Sequence, residues 1–379
     1  MFVLTRLLQP LKKVDFEGIA KENKTDLYSK KITLKAHVFL LTIAFAFGEF
    51  TLKGISRISK HPRMKRYHVP TVSKSQLSKL HNNDKPDRPK TTTKPRTLLA
   101  FQKVYQQLLK QALHSLNFHS RRSKYLLHAL DGSKKRGKVK FLKSNVISEE
   151  IKVNGVKLHL SIIPGLRKLP LIAIGTEPTV HDNTQFRMLI EQATQFVDLV
   201  GEIAITLFDL GYYDFEQFEE MVDKGILFIS RVKKNAAHKI TDTSSKSSKA
   251  IDQMVKLEGC KHELRLVILK GEDGEEWRYY TNVHFLPPQE IGTFYGYRWD
   301  VEIAHRDMNQ VLGLKHFFGQ SFNAVMIQIF MVLILWLLLV IFAERMGLDY
   351  TLADLKGFVR VYHDIDCSQL DYAPCWRVD

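Results

Sequence analysis

The chain has 379 residues, 45% hydrophobic and 25% charged, enough for two or three domains around a sizeable core. A formal net charge of +16 and a pI near 9.5 point to an extended anionic partner, nucleic acid before an anionic membrane surface. Three widely spaced cysteines (Cys260, Cys367, Cys375) with no C-x-x-C argue against a disulfide framework or a zinc site and suit a reduced cytosol.

The N-terminal stretch "MFVLTRLLQPLKK" is apolar but broken by Arg6 and Pro10, without the core of a signal peptide. Residues 1–81 read as helical, with "HVFLLTIAFAF" followed by "TLKGISRISK" and "VPTVSKSQLSKLHNN". Ser73 and Gln76 form an S-x-x-Q pattern, so a helix is expected to start there. A short basic helix after a turn with Pro70, carrying Lys74 and Lys79, is what a helix-turn-helix DNA reader needs, although many helical hairpins look alike. From Thr51 to Lys143 there are 24 Lys and Arg against three acids, a window of +21 that reads as a phosphate-binding surface. Within it, residues 82–97 ("NNDKPDRPKTTTKPRT") carry three prolines and read as a linker or exposed insertion. The amphipathic helix "LLAFQKVYQQLLKQALHSL" follows.

From about Lys124 the period changes. "KYLLHALDGS", "VKLHLSII", "PLIAIGT" and "EIAITLFDL" are short apolar runs bounded by Gly, Pro or charge, hence strands. "NTQFRMLIEQATQFV" and "YDFEQFEEMVDKG" are expected helices, and "ILFISRVKKN" a further strand, giving a mixed α/β sheet. Residues 236–290 read as a β-rich insertion, with a loop "TSSKSSK" and two strands, "LRLVILKG" and "EWRYYTNVHF", joined by "GEDGEE". Ala324 to Ala343 are 20 residues with one polar interruption, Gln328. By length they fit a membrane span, and by their evenness all round they fit a buried core helix.

Asp131 and Asp209 are expected at the carboxyl ends of strands, where active sites of α/β sheets cluster and where a buried acid is costly unless paired or bound to a cation. For either alone, a cap or turn aspartate is an equal reading. In "YGYRWDVEIAHRDMNQ" the steps of three, four and seven from Tyr295 to Arg298, Glu302 and Asn309 put all four on one stripe of a helix. By itself that stripe reads as a solvated face with an Arg–Glu pair. Beside the two aspartates it offers a third carboxylate, and oxygen-only ligands suit two Mg²⁺ or Mn²⁺ ions. Asp182 reads as a helix cap, His305 as a surface histidine, and Lys233 and Lys234 as strand-end cations facing either DNA or solvent.

On these residues the sequence resembles the DDE transposases of bacterial insertion sequences, in the branch with the signature Y-x2-R-x3-E-x6-K. Tyr295, Arg298 and Glu302 match its first three positions, and "LHALDGS", "VKLHLSI", "DLGYYDFEQFEEMVDKGILFISRVKKN" and "LGLKHFFGQSFNAVMIQI" resemble the same branch. The resemblance implies an RNase H-like catalytic core, residues 98–345, with the β-strand insertion inside it. A helical DNA-binding domain (1–81) would precede it and a tail (346–379) follow. Asp131, Asp209 and Glu302 would hold two Mg²⁺ or Mn²⁺ ions. Tyr295, Arg298, Arg306, Lys233, Lys74 and Lys79 would contact DNA. The partners would be terminal inverted repeats and target DNA, bound as a homodimer in the bacterial cytosol, with no membrane, and the long apolar run would be a core helix. Asn309 stands where the signature has lysine. That keeps open a second reading, a decayed or domesticated relative that only binds DNA.

Overall fold

The computed structural model describes residues 1–26, 31–81, 97–116, 125–142, 150–165, 167–197, 203–212 and 214–367. In chain order its helices and strands are α1 (Val3–Leu8), α2 (Phe16–Glu22), α3 (Leu34–Ala46), α4 (Leu52–Ser59), α5 (Lys74–His81), α6 (Leu98–Ser115), β1 (Leu126–Leu142), β2 (Glu150–Ile163), β3 (Leu169–Thr176), α7 (Phe186–Val197), β4 (Ala204–Phe208), α8 (Phe215–Asp223), β5 (Leu227–Arg231), β6 (Lys239–Lys246), β7 (Ala250–Lys256), β8 (Glu263–Lys270), β9 (Glu276–Thr281), α9 (Pro288–Gly296), α10 (Trp299–Gln310), α11 (Phe322–Met346) and α12 (Leu352–Tyr362). They fall into two compact units. The first comprises Met1–Asn117, Lys135–Val156 and Arg306–Asp379; the second comprises Phe118–Lys134 and Lys157–His305.

The first unit is built around α11. A helix that is apolar all round must be buried all round, and every residue from Ala324 to Ala343 is buried. It packs on α6, α3, α1 and α12, with the Tyr105 and Phe330 rings 5.6 Å apart. The apolar run is therefore a core helix of this unit. Its ends are defined chemically: the Ser321 hydroxyl accepts from the Ala324 N–H, and Gly347 closes it at φ +62°, a conformation glycine adopts without cost. The polar interruption is satisfied. Gln328 is fully buried, accepts from the Phe318 N–H at 2.9 Å and donates to the His316 carbonyl at 2.9 Å. Ser73 and Gln76 form the expected reciprocal cap of α5, at 2.9 and 3.2 Å. Residues 82–96 of the expected linker lie outside the described residues. The C-terminal segment, read as a tail, contains α12, which is capped by Thr351 and buries Leu355, Phe358 and Val359.

The nine strands form one sheet in the order β3-β2-β1-β4-β5-β9-β8-β7-β6. β1, β4 and β5 are parallel neighbours. β5 meets β9 antiparallel, and β8, β7 and β6 continue antiparallel to the edge. α7 and α8 lie in the connections between the parallel strands β1, β4 and β5, since a parallel pair needs a connection long enough to return. Phe186, Phe208, Phe218 and Phe228 fill the core there, with Phe218 and Phe228 stacked at 5.1 Å.

Three elements differ from the sequence reading. β1 does not end at Asp131 but runs to Leu142, so the Asp131-Gly132 pair, a turn signal in isolation, is overridden by pairing in the sheet. The insertion has four strands rather than two, because the first four residues of "TSSKSSK" belong to β6 and the stretch after it, Ala250–Lys256, forms β7. Every residue of β6 is exposed, so this edge strand carries no alternating apolar signal. The insertion is locked by Arg265, which clasps Asp252 in a two-pronged ion pair at 2.8 and 2.9 Å and donates to the carbonyls of Val283 and Leu286. The stretch from Tyr295 onward is two helices, not one. α9 ends at Gly296, Tyr297 and Arg298 form a turn, and α10 begins at Trp299. Glycine is the weakest helix former after proline, and the break falls there.

Candidate functional site

The second unit contains Asp131, Asp209 and Glu302 together. β1 pairs with β4 in a single register, Leu126 opposite Ala204 and Ala129 opposite Leu207. The same offset carried two residues further, past the last paired residues, would bring Asp131 level with Asp209, and the charge of Asp209 acts on the Asp131 carboxyl. Asp131 thus lies within β1 but two residues past its last partner on β4, where the two strands part. Asp209 lies one residue past the end of β4, its Oδ1 accepting from the Gly211 N–H at 2.9 Å.

That juxtaposition is costly. Burial, the charge of Asp209 and, less strongly, the charge of Glu302 push the Asp131 carboxyl up to about 7 from 3.8. The Gly132 backbone N–H and the Arg298 guanidinium pull the other way. An acid held at such a value beside a second acid marks a functional site more often than a structural one. His305, expected on the surface, is 4% exposed, its Nε2 3.4 Å from the Asp131 carbonyl and 4.0 Å from its carboxylate.

Despite the break in the helix, the turn keeps Tyr295, Arg298 and Glu302 in contact. The Arg298 N–H bonds the Tyr295 carbonyl at 2.9 Å, and its guanidinium stands 5.7 Å from the Tyr295 ring and 5.3 Å from the Trp299 ring. Arg298 Nη2 donates to Glu302 Oε1 at 2.7 Å. Arg298 is 7% exposed, and its Nε and Nη1 have no hydrogen-bond partner among the described residues. Burial opposes its charge, yet Tyr295, Glu302 and Asp209 hold its pKa above the ordinary arginine value. Burial pushes the Tyr295 phenol up to about 12. A buried guanidinium that Glu302 and the Tyr295 phenol do not fully satisfy suits an incoming oxyanion.

Tyr295, Arg298 and Asp209 line a cleft of about 390 Å³ with Arg231, Lys233, Lys234, Arg278 and Glu276. The β4–β5 register, Phe208 opposite Ser230, sets Arg231 next to Asp209. Lys233 is exposed in the turn after β5, two residues beyond the strand. Arg278 is spoken for by Glu276 at 2.7 Å. The cleft is basic, with two carboxylates, Asp209 and Glu276, in its lining. Arg231 and Arg278 were not singled out from the sequence, because only the pairing of β5 with its neighbours brings them there. Arg306 is exposed on α10, one turn past Glu302, and Asn309 is half-buried further along. Lys74 and Lys79 are both exposed on α5, in the first unit.

Asp182 is not a cap. It opens the short 3-10 turn Asp182–Gln185, which has no side-chain cap, and its carboxylate is held by Lys157 at 2.7 Å and faces His159 at 3.1 Å. The signal for this pair was in "VKLHLSII". Lys157, His159 and Ser161 alternate along one face of β2, and all three are buried. Ser161 bonds His128, a neutral histidine whose pKa burial lowers to about 3.

Among the described residues no group of three or more His, Cys, Asp or Glu is drawn tightly enough to enclose a metal ion. The donor set nevertheless suits a hard divalent cation: all its donors are carboxylate oxygens, and their mutual repulsion already raises Asp131.

A carboxylate pair where β4 ends beside the continuing β1, next to a basic cleft, defines a mixed α/β protein with an acid-centred site. A family model described as "Transposase DDE domain" matches residues 134–338, and the chain belongs to that family. The match includes Asp209 and Glu302 and starts three residues after Asp131. Two relatives are transposases by description. The probable transposase for insertion sequence element IS5377 of Geobacillus stearothermophilus is 28% identical over 194 residues, 49% of this chain and 48% of its own. The putative transposase y4zB of Sinorhizobium fredii (strain NBRC 101917 / NGR234) is 25% identical over 206 residues, 51% and 55% of the two chains. The chain spans about half the length of the curated relatives it matches. A piggyBac transposase synaptic complex with hairpin DNA is similar at 9% identity and a TM-score of 0.48, over 99% of this chain and 82% of that one.

Proposed function

We propose that the protein is an insertion-sequence DNA transposase that cleaves transposon ends and joins them to a target by metal-dependent phosphoryl transfer. The observation that supports this reading is the mutual effect of Asp131 and Asp209, just beyond the paired β1–β4 residues, with burial and the Asp209 charge raising Asp131 to about 7. DDE transposases as a family work with divalent metal ions. Here Asp131, Asp209 and Glu302 would hold them, as two Mg²⁺ or Mn²⁺. When bound, the ions would neutralise charge on the scissile phosphate and acidify the attacking water or 3′-hydroxyl.

The chain's own groups do the rest. Arg298 offers Nε and Nη1 to a phosphate oxygen while its Nη2 steadies Glu302. Tyr295 backs the guanidinium, and Arg231, Lys233 and Lys234 neutralise the approaching backbone. The Arg298 Nη2–Glu302 contact competes with a cation for Glu302.

The finer assignments belong to the same proposal. The core is RNase H-like, residues 98–345, with the insertion at about 236–290 within it, a DNA-binding domain at 1–81 and the segment 346–379 after it. The branch is the one with the Tyr-Arg-Glu-Lys signature, read here as Tyr295, Arg298, Glu302 and Asn309. The partners are terminal inverted repeats and target DNA, bound as a homodimer in the bacterial cytosol, with Lys74, Lys79 and Arg306 on phosphates.

The test is Mg²⁺- or Mn²⁺-dependent nicking of DNA carrying the element's own ends. Wild type is expected to cut, while Asp131→Ala, Asp209→Ala and Glu302→Ala bind DNA without cutting. Variants that cut like wild type overturn the assignment. Asn309 favours one second reading, a DNA-binding relative that has lost cleavage. Under that reading no divalent metal supports nicking until Asn309→Lys restores it.

A further inference from the structure

Beyond the three acids of the proposed site, a fourth carboxylate stands among them and is gripped from behind. Asp182 Oδ2 is 2.7 Å from Lys157 Nζ, which also donates to the Val180 carbonyl at 3.1 Å. Its Oδ1 is 3.1 Å from Nδ1 of His159, a fully buried ring whose Nε2 meets Thr176 Oγ1 at 2.9 Å. The turn that carries Asp182 is fastened on its other side, where Asn183 donates to Asp214 at 2.9 Å and accepts from Gln217.

This carboxylate fills the space beside Gly132, the residue after Asp131, and lies within ordinary van der Waals reach of the Gly211 position. Gly132, whose N–H bonds the Asp131 carboxyl, has no room for a side chain. A methyl group there would overlap Asp182 Oδ1 and stand 3.1 Å from His159 Nδ1. Gly211, whose N–H bonds Asp209, would place a methyl group 3.7 Å from Asp182 Oδ2. One group senses all three acids: Tyr212, fully buried, has a hydroxyl with no hydrogen-bond partner among the described residues. Burial, then the charges of Asp182, Asp131 and Asp209, raise its pKa well above the ordinary tyrosine value.

We infer that Asp182, held by Lys157 and His159, is a positioning residue that wedges between the Asp131–Gly132 strand and the Asp209–Gly211 turn and sets the spacing of the two aspartates. Its Oδ2 is held by Lys157, and its Oδ1 faces His159 Nδ1 at 3.1 Å without a hydrogen bond, so its role here is to act through its neighbours. Glycine at 132 is required because the wedge needs its space. The inference rests on the proposed role of Asp131 and Asp209 as a cation site.

The experiment follows binding of Mn²⁺ alone to the full-length protein by electron paramagnetic resonance, with nicking and DNA binding measured in parallel. Asp182→Ala is expected to weaken Mn²⁺ binding by roughly 10–100-fold, the range for groups that orient metal ligands, with DNA binding near wild type and a lowered melting temperature, because buried Lys157 loses its partner. Gly132→Ala is expected to do the same by pushing the carboxylate aside. The double variant Gly132→Ala/Asp182→Ala should be no worse than either single one, because the clash and the wedge vanish together. Additive losses overturn the inference. So does an Asp182→Ala titration that superimposes on wild type while Asp209→Asn loses Mn²⁺, which leaves the cation site itself standing. If Asp209→Asn also binds like wild type, the cation site fails and the wedge with it.

Discussion

Asp131→Asn separates what the carboxylate does for chemistry from what it costs the fold. Its pKa rises from 3.8 in the unfolded chain to about 7 in the folded one. A raised acid contributes fully below its unfolded value and costs stability as pH climbs through its folded value. At about 1.36 kcal/mol per pKa unit, ionising Asp131 above pH 7 costs the fold on the order of 4 kcal/mol. Asparagine keeps the shape and the acceptor for the Gly132 N–H but carries no charge, so it escapes this cost. The variant should therefore melt with wild type near pH 4 and progressively above it as pH rises, reaching roughly 10 °C by pH 8 at about 2–4 °C per kcal/mol.

The assay is thermal unfolding in chelator across that range. His128 pulls the other way, since its pKa is lowered to about 3 and its contribution is lost as pH falls from about 6.5. Both proteins share His128, so the difference between them isolates Asp131. Nicking by the variant should be abolished over the whole range. A stability gap that is absent at pH 8, or constant with pH, would refute the claim that Asp131 is a strained acid beside Asp209.

Arg298→Ala removes the guanidinium that pulls the Asp131 pKa down, so the acid limb of any remaining cleavage should move to higher pH; an unmoved limb refutes the coupling. Asp252→Asn breaks the buried pair with Arg265 and should destabilise by about 3–5 kcal/mol in denaturant titration. Gln328→Leu strands the Phe318 N–H and the His316 carbonyl in the first unit and should cost about 1–3 kcal/mol. Ser73→Ala opens the α5 cap for about 1 kcal/mol. If Lys74 and Lys79 each meet one phosphate, Lys74→Ala/Lys79→Ala should reduce the salt slope of DNA binding by about 1.8, read from fluorescence anisotropy.

Local signals carried the helices and strands with strong periods. The α5 cap was legible because a capping box is a contact between residues three apart. The α11 helix was legible as a core helix or a span, and only the surrounding α6, α3 and α1 decide between them. β6 was not legible because it is exposed on both faces, so no alternation marks it. The α9–α10 break was legible in principle from Gly296, but Tyr295, Arg298 and Glu302 meet on either geometry, since a tightened turn preserves contacts at three and four residues.

The site divides along the same line. Tyr295, Arg298 and Glu302 lie within eight residues, so spacing alone proposes their contact. Asp131 and Asp209 are joined by a register that no local pattern encodes: Asp131-Gly132 looks like the end of a strand, when the strand continues and only its partner leaves. That divergence matters chemically. Where β1 and β4 part, their side chains are no longer tied by a shared ladder, and something else must hold the aspartates at a fixed distance against their own repulsion. Asp182 reaches that gap from β2's buried Lys157 and His159, and Gly132 leaves it the room. A polar stripe buried in the otherwise apolar Val156–Ile163 half of β2 is thus what a repelling carboxylate pair demands of its neighbours.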